Sequence, residues 1–331
     1  MTCFALLWGG VWAGIRSTQA EQAPAATDVT SSEKTSSGDS SKESATPTST
    51  PEDAAQADML LQEARTSLLN RQSLQADMRQ QIHVGERQLK AEGTYLSGAF
   101  PKLRLEYKIR VGSMQGSLTE ICDGTILHTQ KAIGLVGAKD PEWMMTRRDV
   151  QKILAATENS KNLAVASLGA EIGIGGLPAI LASIDRCMVG KRVTAEEFEG
   201  QTCRVYHGAW DPVLLQNYYA RLEADSKEVR ASLMPFFPDT VQVFFTSDTL
   251  LPVKIVYFKN EQDQAGKISG VRALMVLEFR NLKLDQPVPP TAFQFVLPSG
   301  REEMDTTNDF LTLIQASSAV THGVPQAVPQ K

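Results

Sequence analysis

Between Val241 and Asp309 the chain strings together runs in which apolar residues recur at every second position, and that period dictates extended strands. Val241, Val243 and Phe245 lie on one face of a first run, and Val253, Ile255 and Tyr257 on one face of a second. Val271, Ala273, Met275, Leu277 and Phe279 share a face of a third. Asp248 and Pro252 bound the first connection, and Asn260 to Gly270 form the second. Short connections between such runs mean consecutive antiparallel strands. Gln286-Pro287-Val288-Pro289-Pro290 follows, and with so few backbone donors it must lie outside the ladder. Phe244, Val256 and Phe258 oppose Val243, Ile255 and Tyr257, so this sheet needs either two covers or one cover and a ligand.

The same period runs through the first half. Strands are expected over Leu74 to Val84, Arg87 to Leu96, and Leu103 to Val111, where Leu103, Leu105, Tyr107, Ile109 and Val111 alternate with Arg104, Glu106, Lys108 and Arg110. Ser117 to Cys122 continues the meander, and Asp123-Gly124 turns it into Thr125 to Gln130. A later hairpin joins Lys191–Glu197 to Gln201–Ala209 through Glu199-Gly200.

Helical spacing appears in four places. Glu52 to Arg71 is amphipathic and starts just after Thr50-Pro51. Arg147 to Asn159 reads as a second helix, and Asp211 to Ala224 as another, capped by Asp211 with Pro212 at its first position. Ala164 to Ile184 is apolar nearly all round, with Leu168, Ile172, Leu177, Ile180, Leu181 and Ile184 interrupted by Gly173, Gly175, Gly176 and Pro178. A glycine-broken apolar helix in a β protein either plugs a concave sheet or lines its opening.

Residues 3 to 15 are uncharged and mostly apolar, and Thr18-Gln19-Ala20 after them suits signal peptidase, so residues 1–20 are expected to be a signal peptide. That run is too short to span a bilayer comfortably. Glu21 to Pro51 has no aromatic residue and a single Val, too little apolar surface to offset chain entropy. This predicts a disordered Ser/Thr/Pro/Glu-rich tether over 21–57, one folded domain over 58–315 and a flexible tail over 316–331. The expected location is the periplasm or cell envelope, with no integral membrane segment after processing. Cys3 lies at the start of the apolar run and not at its end, which argues against a lipid-modified cysteine.

Chemistry is sparse. The net charge is −5 with basic and acidic residues interspersed, which excludes the electrostatic footprint of a nucleic-acid partner. Cys122, Cys187 and Cys203 allow at most one bridge among themselves, whose pairing the spacing leaves open. His83, His128, His207 and His322 stand alone, so neither a metal nor a cofactor is expected. Gly169 to Gly176 lacks the spacing and the parallel βαβ context of a phosphate loop. Glu196, Glu197 and Glu199 crowd a hairpin tip, where solvated charge is ordinary. No nucleophile motif is present, and the chain reads as non-enzymatic.

The order of helix, long meander, helical lid segment, hairpin with Trp210 after the returning strand, then strands ending in Phe293-x-Phe295-x-x-Pro298-x-Gly300 and Asp305, resembles the LolA-like family of periplasmic lipoprotein carriers and relatives. The resemblance implies a mainly β (α+β) fold, an unclosed antiparallel β-barrel or strongly curved sheet whose concave face is covered by helices and receives acyl chains. The candidate cavity lining is Leu103, Leu105, Tyr107, Ile109, Val243, Phe245, Ile255 and Tyr257, and the candidate lid residues are Leu168, Ile172, Leu177 and Ile180. Two functional readings follow. One is an exported carrier of a hydrophobic ligand, an acyl chain or lipoprotein anchor. The other, matching a family member that senses through an anti-sigma factor, is an envelope sensor or scaffold with a filled core that binds a protein partner.

Overall fold

The computed structural model describes residues 49–84, 87–138, 140–158, 171, 173–216, 237–263 and 267–312. Helix α1, Pro51–Leu69, opens the fold; Thr50 and Asp53 cap each other reciprocally, and Pro51 stands where a helix has no use for its N–H. The boundary expected at residue 57 therefore falls inside this helix. Six strands follow: β1 Leu74–Val84, β2 Arg87–Ser97, β3 Leu103–Val111, β4 Met114–Cys122, β5 Ile126–Leu135 and β6 Glu142–Asp149. Helices α2, Val150–Glu158, and α3, Gly176–Cys187, lead into β7 Met188–Phe198, β8 Gln201–Trp210, β9 Thr240–Thr246, β10 Pro252–Gln262 and β11 Ile268–Leu284. A two-residue strand, β12 Met304–Asp305, ends the series.

All of these strands join one sheet in the order β12-β6-β5-β4-β3-β2-β1-β11-β10-β9-β8-β7, and the sheet does not close on itself. Every neighbouring pair is antiparallel except β12 with β6. An unclosed, mainly antiparallel sheet with helices is the architecture expected from the sequence. β11 pairs with β1, Leu74 opposite Leu284, so the two halves of the chain meet in the middle of the sheet through the first strand of one half and the last long strand of the other.

Two expectations need correction. Residues 147–149 are extended, not helical: Ile126 to Ile133 pair with Asp149 to Glu142, and the helix starts only at Val150. The alternation of Thr146, Arg147 and Arg148 across a strand was masked by the apolar spacing that follows it. The terminal Phe293-x-Phe295 run is likewise no full strand. Pro290–Phe293 is a 3₁₀ turn, and only Met304 and Asp305 pair, parallel to β6. This run is a strap on the outer face: Phe293 lies 3.1 Å from the position a Gly98 side chain would take, and Arg104 donates to the Ala292 carbonyl at 3.2 Å. Phe295 stacks on His128 at 4.4 Å, and the same imidazole meets Glu303 at 2.8 Å.

One apolar cluster on the inner face joins α1, α3 and most strands, including Leu60, Leu61, Tyr95, Leu177, Tyr206 and Phe279. A second, smaller cluster of Cys203, Val205, Phe244, Val253 and Val256 lies on the opposite face of β8–β10. Both faces of those strands are thus buried, as their two-sided apolar pattern demands. Cys122 and Cys203 are free thiols in different clusters, so no bridge joins them.

Candidate functional site

The two helices treat the two halves of the sheet differently. On the β7–β11 half, α1 is pressed close: the Gly190 N–H donates to Asp58 at 2.8 Å, and a side chain at Gly190 would lie 2.8 Å from the Ala57 methyl. Val243, Phe245 and Ile255 are completely shielded there, Tyr257 almost so, in one cluster with Leu60, Leu61 and Ala64 of α1. These four sequence candidates therefore belong to a filled core and are not among the residues lining the cavity of the other half.

On the β1–β6 half a cavity of about 330 Å³ is left between the sheet and α3. That volume sits at the lower end of the range of roughly 300–1,000 Å³ usual for ligand sites. Leu105, Tyr107 and Ile109 line it, as do Leu177 and Ile180 of α3. Leu103 instead faces a separate void of about 20 Å³ with Leu68 and Pro178. Leu168 and Ile172 lie outside the described residues.

Strand register explains how the cavity acquires two unlike walls. Ala91, Ile109, Gly116 and Ile133 form one cross-strand row; Gly93, Tyr107, Leu118 and Lys131 form the next; Tyr95, Leu105, Glu120, Thr129 and Thr146 form the third. Read across the sheet, the β1–β3 side with Met78, Ile82, Leu89 and Ala91 is mainly apolar, with Gln80 and Lys90 its polar members. The β4–β6 side presents Glu120, Thr129, Lys131, Thr146 and Arg148. Two glycines in these rows let the neighbouring backbone come close: an added Cβ at Gly93 would sit 1.9 Å from the Glu106 carbonyl oxygen, and one at Gly116 would sit 3.2 Å from that of Ala132.

Glu120 is the electrostatic centre of the polar wall. Burial pushes its carboxyl above the ordinary carboxylate range, against the pull of Arg148, Lys131 and a Thr129 hydrogen bond. Burial lowers the Lys131 ammonium, which Glu120 partly restores, and lowers the Arg148 guanidinium likewise. The Tyr107 phenol is raised by burial and then by Glu120, while burial pushes Tyr95 up to about 12. Arg148 is fixed in place: it donates to the Gly173 carbonyl at 2.7 Å and stacks 4.3 Å over Phe310.

This interior polar cluster corrects the sequence reading, which found none. Glu120, Lys131 and Arg148 stand on three successive strands, and only the register unites them; the one signal in the sequence is a charge at an inward-facing position in each. A second buried charge group clamps the helices together, Arg65 of α1 meeting Glu171 at 2.7 Å and Asp185 of α3 at 2.5 Å. Among the described residues no group of His, Cys, Asp and Glu is placed to hold a metal ion. Nor is any helix there long and apolar enough to cross a membrane.

No family model matches the chain, and no curated protein matches it. It is similar to several solved structures. A DUF1329 family protein from Desulfovibrio piger shares 12% identity over 73% of this chain and 97% of that one, with a TM-score of 0.31. The Mycobacterium tuberculosis lipoprotein LppX shares 10% over 71% and 98%, with a TM-score of 0.35. A chain of the Pseudomonas aeruginosa MucA/MucB complex shares 12% over 73% of this chain but only 61% of its own length, with a TM-score of 0.34. Identities and scores this low leave the functional reading to the cavity itself.

Proposed function

We propose that the protein is an exported, non-enzymatic carrier that holds a hydrophobic ligand, an acyl chain or lipoprotein anchor, between the β1–β6 half of its sheet and helix α3. One observation carries this reading: the helices fill the β7–β11 half and leave in the other a cavity with one mainly apolar wall. Each methylene moved from water onto that wall contributes about 0.8 kcal/mol, so a preformed groove needs no further chemistry to retain a chain. The periplasm or cell envelope fits the apolar start of the sequence and the spacer that follows it.

The test is titration with a fluorescent fatty acyl probe. Wild type is expected to bind it, and Ile109→Glu, which places a carboxylate on the half-buried edge of the apolar wall, is expected to weaken binding about tenfold or more while the fold persists by circular dichroism. A folded wild type that binds no acyl probe overturns the carrier.

A further inference from the structure

The cavity's charge is opposite to the chain's. Of the ionisable side chains that line it, Lys90, Lys131 and Arg148 are cationic and only Glu120 is a carboxylate, in a protein whose net charge is −5. Apart from Lys90, an exposed residue of β2, the charges are also segregated. Lys131 and Arg148 stand on β5 and β6, across the cavity from Met78, Ile82, Leu89 and Ala91, with no acid on the apolar side. Lys131 has no direct ion pair among the described residues. The Arg148 guanidinium engages one of its donors with the Gly173 carbonyl and lies over the Phe310 ring, so its position is preset by two contacts. Thr129 and Thr146 add hydroxyls on the same wall.

From this arrangement we infer that the carrier selects a single-chain amphiphile with an anionic headgroup, its chain against β1–β3 and α3 and its carboxylate or phosphate against Lys131 and Arg148. A neutral lipid would leave two inward cations facing one buried carboxylate, and a cationic one would add a third. An anion compensates them, and charge-assisted hydrogen bonds to it are the stronger kind. The inference rests on the carrier reading and adds the headgroup to it.

Competitive displacement of the acyl probe by four ligands of equal chain length tests it: laurate, dodecyl phosphate, dodecanol and dodecylamine. Laurate or dodecyl phosphate, or both, should bind at least about tenfold more tightly than dodecanol and dodecylamine, and which of the two leads separates a carboxylate from a phosphate headgroup. Lys131→Met and Arg148→Gln should each shrink that margin at least about threefold while the affinity for dodecanol stays within twofold of wild type. Because Arg148 also anchors Gly173 and Phe310, Lys131→Met decides the point if Arg148→Gln does not fold. Dodecanol binding as tightly as both anions, or a folded Lys131→Met that keeps the full margin, overturns the headgroup and leaves the carrier standing. A folded wild type that binds neither the acyl probe nor any of the four ligands overturns both, whereas a bound probe that none of the four displaces overturns the headgroup alone.

Discussion

Gly93 and Tyr107 stand directly opposite each other on β2 and β3, and the space a Gly93 side chain would need is taken by the backbone of the Tyr107 strand, with the Glu106 carbonyl oxygen 1.9 Å from the would-be Cβ. Met78 opposes Gly93 from the other side. The close approach lets β1, β2 and β3 pass the cavity with Tyr107 projecting into it. Because the obstruction is backbone, no rotamer change relieves it. Gly93→Ala is expected to destabilise the protein by about 2 kcal/mol or more, read from urea denaturation, and to reduce acyl-probe binding with it. A neutral result would mean that the strands separate easily at this point.

Glu120 supplies a pH prediction with a definite sign. Its carboxyl titrates higher in the folded protein than in the unfolded chain, chiefly through burial. The folded state therefore holds more protons than the unfolded state between the two values, so stability falls as pH rises through that window and levels off above it. Glu120→Gln, which mimics the protonated form, should remove that part of the slope and be at least as stable as wild type at pH 7.5. Chemical denaturation of both proteins from pH 4 to pH 8 checks it; parallel curves would refute it.

Arg65 bridges Glu171 and Asp185 with all three side chains largely withdrawn from water. Removing the cation alone strands two acids, and Asp185 is already raised by burial, with Arg65 working against that shift. Arg65→Met should cost about 3–5 kcal/mol, whereas replacing Arg65, Glu171 and Asp185 together by apolar residues should recover most of it. Denaturation midpoints of the single and triple variants distinguish the two.

The reciprocal cap of α1, Thr50 with Asp53, closes the N-terminal end of the helix. Thr50→Ala, which breaks the reciprocal cap with Asp53, should cost about 1 kcal/mol and roughly 2–4 °C in Tm.

Much of the sheet was legible because it is local. Period-two runs such as Leu103–Val111 state which side chains share a face, and Glu199 and Gly200, with φ of 51° and 77°, mark their hairpin without reference to the rest. What could not be read is which half of the inner face stays empty. Leu105 and Phe245 have the same apolar, inward-facing signature, yet α1 packs over one and a cavity opens beside the other. That difference depends on the placement of a helix by Gly190 and Asp58, residues far apart in sequence. The polar wall was hidden for the same reason: each of Glu120, Lys131 and Arg148 is a lone charge within its own strand, and only cross-strand register makes them neighbours.

The pairing of β1 with β11 sets an order of events for making the molecule. Strand β1 emerges early, but one of its two hydrogen-bonding edges has no partner until the chain has reached Leu284. Loop closure over so long a separation is slow and entropically costly compared with the successive hairpins of β1 to β6. A chain still being synthesised thus carries an open β1 edge and an uncovered apolar face through most of its length. For the exported role proposed above, late sealing of the sheet would keep the nascent chain threadable, and the same open edge would favour an escort until the last long strand arrives.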